Sequence, residues 1–150
     1  MNIKEKISTK NGLKTKGAYS PALKVCEQMY ISGQLPIDPT TNKVVEGGIK
    51  EQTKQCLENM KAILEEAEMD MKYIVKTTVF LKNISDFKSM NEVYQEYFED
   101  PYPARSACEV SGLVGGALVE IEAFAIDFRA LEVLCCSEED CCDDECCCCK

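Results

Sequence analysis

Pro103-Ala104-Arg105-Ser106-Ala107-Cys108-Glu109-Val110 is the stretch on which the reading of this chain turns. Pro101 and Pro103 stop the helical pattern in front of it, because a proline disfavours helical geometry in the residue before it. The stretch therefore opens an extended strand, and Arg105 sits near the start of that strand rather than on a solvated helix face. Arg105 is one of only two arginines; the other, Arg129, follows the last apolar strand pattern. A guanidinium is always charged, and its planar fork can hold a carboxylate by two parallel hydrogen bonds. Two readings follow: an ion-pairing surface arginine, or a clamp for an anionic ligand.

Working outward, Leu118–Phe128 reads as a last strand. It is reached through Ser111-Gly112-Leu113-Val114-Gly115-Gly116, which lacks the lysine and spacing of a phosphate-binding loop and reads as a turn. On the N-terminal side, Ser85 or Asp86 can cap a helix running to about Phe98. Phe87, Met90, Tyr94, Tyr97 and Phe98 form its apolar stripe, and Asn91 lies beside that stripe. Tyr73–Leu81, rich in valine and threonine, reads as a strand. Ile49–Met69 carries apolar residues at three-and-four spacing, the pattern of an amphipathic helix. Earlier still, Ala22–Cys26 and Gln28–Ser32 make a strand hairpin, Pro36–Asn42 is turn chemistry, and residues 1–16 form a loose lead-in with room for one short strand. The order predicts an α+β fold, two helices packed on one face of a mixed sheet.

The chain has 150 residues and a net charge of −9. Residues 131–150 hold seven acids and one lysine, net −6, which leaves −3 on residues 1–130. Neither part has the basic footprint that neutralises phosphates, so nucleic acid is not an expected partner. No run approaches the ~20 apolar residues of a membrane span, and the N-terminus lacks the apolar stretch of a secretion signal; the default location is cytoplasmic. There is no histidine, which excludes serine–histidine and cysteine–histidine nucleophile pairs and histidine metal sites. Cys26, Cys56 and Cys108 each lie in apolar patterns and read as small core residues.

Two further places carry candidate chemistry. Ser32-Gly33 closes the hairpin's second strand: either a plain turn, or a point where the backbone approaches a ligand and offers an amide donor. Glu120 and Glu122 lie two apart on a strand and so share one face. Close carboxylates repel, which can raise the pKa of one toward neutrality and suit it to proton transfer. The alternative is a wet sheet face.

Tyr102-Pro103-Ala104-Arg105-Ser106 resembles the signature of the Rid family, the reactive-intermediate imine deaminases also called YjgF or L-PSP proteins. The resemblance covers roughly residues 8 to 128. It extends through Gly17-Ala18-Tyr19-Ser20-Pro21-Ala22, Ile31-Ser32-Gly33-Gln34-Leu35-Pro36, Val75–Leu81, Met90-Asn91-Glu92-Val93-Tyr94 and Val119–Ala123. It implies a chorismate-mutase-like fold of the bacillus type, a homotrimer with sites in the clefts between subunits, and no cofactor. The implied substrates are small 2-imino acids, hydrolysed to 2-keto acids and ammonia. The resemblance assigns the carboxylate clamp to Arg105, orientation to Ser32 and the Gly33 amide, and a closing ring to Tyr19. It assigns a polar wall to Asn91, and the attacking water to Glu120 with the Ala107 carbonyl. Many family members have cysteine at the position of Ala107; here the thiol comes one residue later, at Cys108, on the other face. A non-catalytic trimer that binds 2-keto acids through the same clamp is the competing reading. The ribonuclease activity also described for the family is disfavoured by charge.

The domain is expected to span 1–130. Residues 131–150 are an acidic tail with eight of the eleven cysteines. Composition favours a disordered appendage; thiolate metal capture, with Cys141, Cys142, Cys146 and Cys147 as candidate ligands, is the other reading.

Overall fold

A computed structural model describes residues 3–9 and 17–129. The tail and its candidate metal ligands lie outside the described residues. Strands β1 (Lys4–Ile7), β2 (Ala22–Val25) and β3 (Gln28–Gln34) are followed by the short β4 (Ile37–Asp38) and β5 (Lys43–Val44). Then come helix α1 (Ile49–Glu66), β6 (Ile74–Leu81), helix α2 (Phe87–Tyr94), β7 (Ala104–Glu109) and β8 (Val119–Ile126). The main sheet has the order β1-β2-β3-β8-β6-β7. Every pairing in it is antiparallel except β6 with β7. The α+β expectation therefore holds, with strands and helices in the predicted order. β4 and β5 are additional: they form a separate two-stranded ribbon where the sequence reads only as a turn. The Thr40 amide donates to Asp38 Oδ1 at 2.7 Å within that turn.

Helix α1 forms because Thr53, Cys56, Leu57, Met60, Ile63 and Leu64 repeat at helical spacing, and all of them are buried. Its start is fixed by the Gly48 amide, which donates to Glu51 Oε2 at 2.8 Å. It ends three residues before the expected Met69, where Glu68 takes a left-handed φ of 56°. The polar members of α1 also work. Asn59 Nδ2 donates to the Leu35 and Ile37 carbonyls, and Gln52 Oε1 accepts from the Leu118 amide. These bonds seat the segment after β3 and the start of β8 against the helix.

Helix α2 is shorter than its aromatic stripe. Beyond Tyr94 the amides of Glu96 and Tyr97 bond three residues back, a tightened exit that redirects the chain before Pro101. Met90, Tyr94 and Phe98 are buried, whereas Phe87 is exposed and Tyr97 donates its hydroxyl to Glu58 on α1. The core lies between the helices and one sheet face, built on Met29, Leu57, Met60, Val79, Val119 and Ile121. Among the described residues the other sheet face carries no helix. There Tyr30, half exposed, meets Phe124 in a tilted ring contact with centroids 5.0 Å apart. Of the three body cysteines only Cys56 is a core residue. Cys26 is exposed in the β2–β3 turn, where φ is 54°, and Cys108 is exposed on the edge strand β7. Among the described residues no helix is long and apolar enough to cross a membrane.

Candidate functional site

Strand register decides where the candidate residues stand. Arg105 on β7 pairs with Thr77 of β6, and Glu120 on β8 pairs with Phe80 of β6. Positions 77 and 80 differ by an odd number, so their side chains leave opposite faces of the sheet. Thr77 is buried beneath the helices. Arg105 therefore stands on the helix side, and Glu120 on the face without helices.

On the helix side, α2 presents its rings to the edge strand. The Arg105 guanidinium carbon lies 4.5 Å from the Tyr94 ring centroid and 5.3 Å from that of Phe87. No hydrogen bond or ion pair among the described residues engages Arg105. The sequence reading that made it an ion-pair residue therefore finds no partner here. Asn91, Gln95 and Tyr102 line the same pocket as Arg105 and Tyr94. Ala107 packs against the core on this side too, and Cys108 points away from it, as strand alternation requires.

On the open face, Glu120 and Glu122 stand side by side as the spacing predicts. Glu120 is half-buried, and its carboxyl is held above its ordinary pKa, first by burial and second by the charge of Glu122. The Glu120 carboxylate lies directly over Gly33. A Cβ at position 33 would overlap Glu120 Oε1 and stand 2.9 Å from its Cδ. Glycine at 33 thus lets an acid side chain lie against the backbone, a physical content the sequence left open between turn and ligand contact. Ser32 lies next to it, but its hydroxyl donates to the Ser20 carbonyl at 2.7 Å, and its amide donates to the Pro21 carbonyl at 3.0 Å. Ser32 thereby ties down the segment that displays Tyr19. Tyr19 itself is 55% exposed and lines a hollow on this face with Ser32, Lys76, Thr78 and Glu122.

The described residues thus present two separate clusters, one on each face of the sheet. One has a cation with its donors free, beside a polar amide and aromatic rings. The other has the Glu120 carboxyl, its pKa raised, against the Gly33 backbone, next to Ser32 and Glu122, which share a hollow with the exposed Tyr19. The sequence reading placed Tyr19, Ser32, Gly33, Asn91, Arg105, Ala107 and Glu120 around one substrate; the structure puts Gly33 and Glu120 together on the open face and Asn91, Arg105 and Ala107 on the helix side. It missed the part of Tyr94 and Phe87, which it took as core. The signal available was their place on the same helix stripe as Asn91.

The described residues thus form an α+β scaffold with a ring-contacted arginine on one face of its sheet and a half-buried acid on the other. Residues 9–127 match the family model described as Endoribonuclease L-PSP, and the chain belongs to this family, also called the Rid family. It is 52% identical over 123 residues to a RutC family protein of Pyrococcus horikoshii, covering 82% of this chain and 98% of that one. It is 45% identical over 124 residues to the human 2-iminobutanoate/2-iminopropanoate deaminase, covering 83% of this chain and 90% of the human protein. Among solved structures it resembles RidA of an Antarctic Psychrobacter, with TM-score 0.78 and 43% identity over 81% of this chain and 98% of that one. Escherichia coli TdcF with bound serine matches with TM-score 0.76 and 33% identity, over 81% of this chain and 98% of that one.

Proposed function

We propose that this protein hydrolyses 2-imino acids, such as 2-iminobutanoate and 2-iminopropanoate, to 2-keto acids and ammonia. The observation that carries the reading is the free, ring-stacked guanidinium of Arg105 together with the raised carboxyl of Glu120. Arg105 grips the substrate carboxylate by two points, which fixes the plane of the carbon–nitrogen double bond. The Gly33 amide and Asn91 orient the rest of the molecule, and Tyr19 covers it. Water held by Glu120 and the Ala107 carbonyl attacks the iminium carbon, and the π electron pair moves to nitrogen. Glu120 takes a proton from that water and passes it to the nitrogen. The carbon–nitrogen bond then breaks, ammonia leaves, and the hydroxyl loses its proton to become the keto oxygen. An iminium is already electrophilic, so no covalent nucleophile is needed, and positioning supplies most of the rate.

Because the two clusters stand on opposite faces of one sheet, the reading includes a second copy of the chain. In a closed homotrimer each active site takes Arg105 from one subunit and Glu120 from its neighbour. The uncovered sheet face around Tyr30 and Phe124 supplies apolar surface for that contact. The ribonuclease reading carried in the family model's description fits poorly with a net charge of −9. The test is ammonia release from freshly generated 2-iminobutanoate, compared with buffer. A rate no faster than buffer, in protein that binds 2-ketobutanoate, leaves the ligand-binding reading in its place.

A further inference from the structure

Arginines that bind anions must be held in place without using up the donors that do the binding. Arg105 meets that requirement in an unusual way: it rests on rings. Its guanidinium carbon lies 4.5 Å from the Tyr94 centroid. Tyr94 is itself fixed. It is buried, its ring stacks on Phe98 at 4.5 Å, and its hydroxyl shares a buried 2.7 Å hydrogen bond with Thr77 Oγ1. Thr77 is fully buried in β6, and it is the strand neighbour of Arg105 itself. The strand that carries the arginine's partner residue thus also pins the ring on which the arginine lies.

We infer that Tyr94, locked by its hydrogen bond to Thr77, is a positioning residue that sets the plane of the Arg105 guanidinium for two-point carboxylate binding. The inference rests on the imine-hydrolase reading for its ligand, and it deepens that reading. A ring face attracts the cation without accepting any N–H hydrogen bond in the guanidinium plane, so all five donors stay available. A carboxylate in the same place would hold the arginine equally well but would compete with the substrate. The tyrosine hydroxyl is too far down in the core to touch substrate, which separates its part from that of the exposed Tyr19 and Tyr102.

The chain's two arginines make a direct test possible. A nitrogen–proton spectrum of the arginine Nε–H groups contains two signals, and Arg105→Lys identifies which belongs to Arg105. Arg129, 5.9 Å from the Tyr73 ring, is the internal control. The Arg105 signal is expected at a ring-shifted position that Tyr94→Leu abolishes and that Tyr94→Phe, which keeps the ring but loses the bond to Thr77, moves partway as Thr77→Val does, with Arg129 unmoved. Binding of 2-ketobutanoate, measured by calorimetry, is expected to weaken about threefold to thirtyfold in Tyr94→Leu, the range of a desolvated cation–π contact. In the Arg105→Lys background Tyr94→Leu is expected to add nothing, because a residue acting through another shows full coupling in a double-mutant cycle. Losses that simply add, or an Arg105 signal unmoved by Tyr94→Leu, overturn the inference. If Tyr94→Leu does not fold, Thr77→Val carries the test, since it keeps the shape and removes the pin. A shifted Arg105 signal with weaker binding supports the inference, and wild-type values for both overturn it. Wild-type protein that neither releases ammonia nor binds the keto acid removes the functional reading and this inference together. Wild-type binding with additive losses removes only the positioning.

Discussion

If each active site takes Arg105 from one chain and Glu120 from its neighbour, two dead variants should rescue each other. Arg105→Lys keeps the charge but loses the planar fork, and loss of orientation costs on the order of 10²-fold. Glu120→Gln keeps the shape but cannot exchange a proton, which typically costs about 10²–10⁴-fold. In a cyclic trimer containing both, one boundary joins an intact Arg105 to an intact Glu120, whichever variant is in the majority. Random assembly from equal amounts makes about three quarters of the trimers mixed, each with one good site in three, so about a quarter of wild-type activity returns. The assay is ammonia release from 2-iminobutanoate by co-expressed, doubly tagged protein, beside the two parents and a mixture of the separately purified parents. Activity at least roughly tenfold above either parent is expected, given the losses assigned to each. A co-expressed assembly no more active than the mean of its parents refutes the shared site. Near-normal activity of folded Arg105→Lys alone refutes the two-point clamp.

The close approach of Glu120 to Gly33 gives a second expectation. No left-handed φ burdens position 33, and the atoms that a Cβ would meet are the end of a flexible side chain. Gly33→Ala is therefore expected to keep its Tm within about 5 °C of wild type, while pushing the carboxylate aside and lowering kcat by about 10²-fold; an unfolded product shows instead that Glu120 cannot yield. The Glu122 charge is the second cause of the raised Glu120 pKa. Removing it by Glu122→Gln makes the Glu120 carboxylate easier to form, so its pKa falls and the acid limb of the rate profile moves to lower pH; a limb that stays, or moves up, excludes Glu120 as the base.

How much of this is legible in the sequence depends on the range of the signal. Helix α1, the β2–β3 hairpin and the shared face of Glu120 and Glu122 follow from periods of 3.6 and 2 that a short window contains. The end of α1 at Glu66 and the early end of α2 were not legible, because each rests on a local backbone adjustment that the apolar pattern runs straight through. The β4–β5 ribbon escaped because its strands have two residues each. Cys26 and Cys108 were misread for other reasons: Cys26 falls in the β2–β3 turn, just past the end of the strand, and for Cys108 an apolar neighbourhood in sequence does not say which face of a strand a helix will cover. The facing of Arg105 against Glu120 is the extreme case. It needs two pairings, β6 with β7 and β6 with β8, made between residues far apart in the chain.

That opposed facing has a physical consequence for the chemistry. Had Arg105 and Glu120 left the same face at neighbouring strands, they would have formed an ion pair. Such a pair lowers a carboxyl pKa and occupies guanidinium donors, which is the reverse of what imine hydrolysis asks of each. Asp127 shows the effect within this same chain: Arg129 and Lys24 bond to its carboxylate and hold its pKa well below the usual range. Glu120, with no cation bonded to it among the described residues, moves in the opposite direction. Arg105, held by Tyr94 instead of an acid, keeps its donors for a ligand. On the proposed mechanism, separation across the sheet preserves a base strong enough to take a proton and a clamp free to bind a carboxylate. On the proposed assembly, the two meet only across a subunit boundary, where the substrate carboxylate is the anion that Arg105 binds.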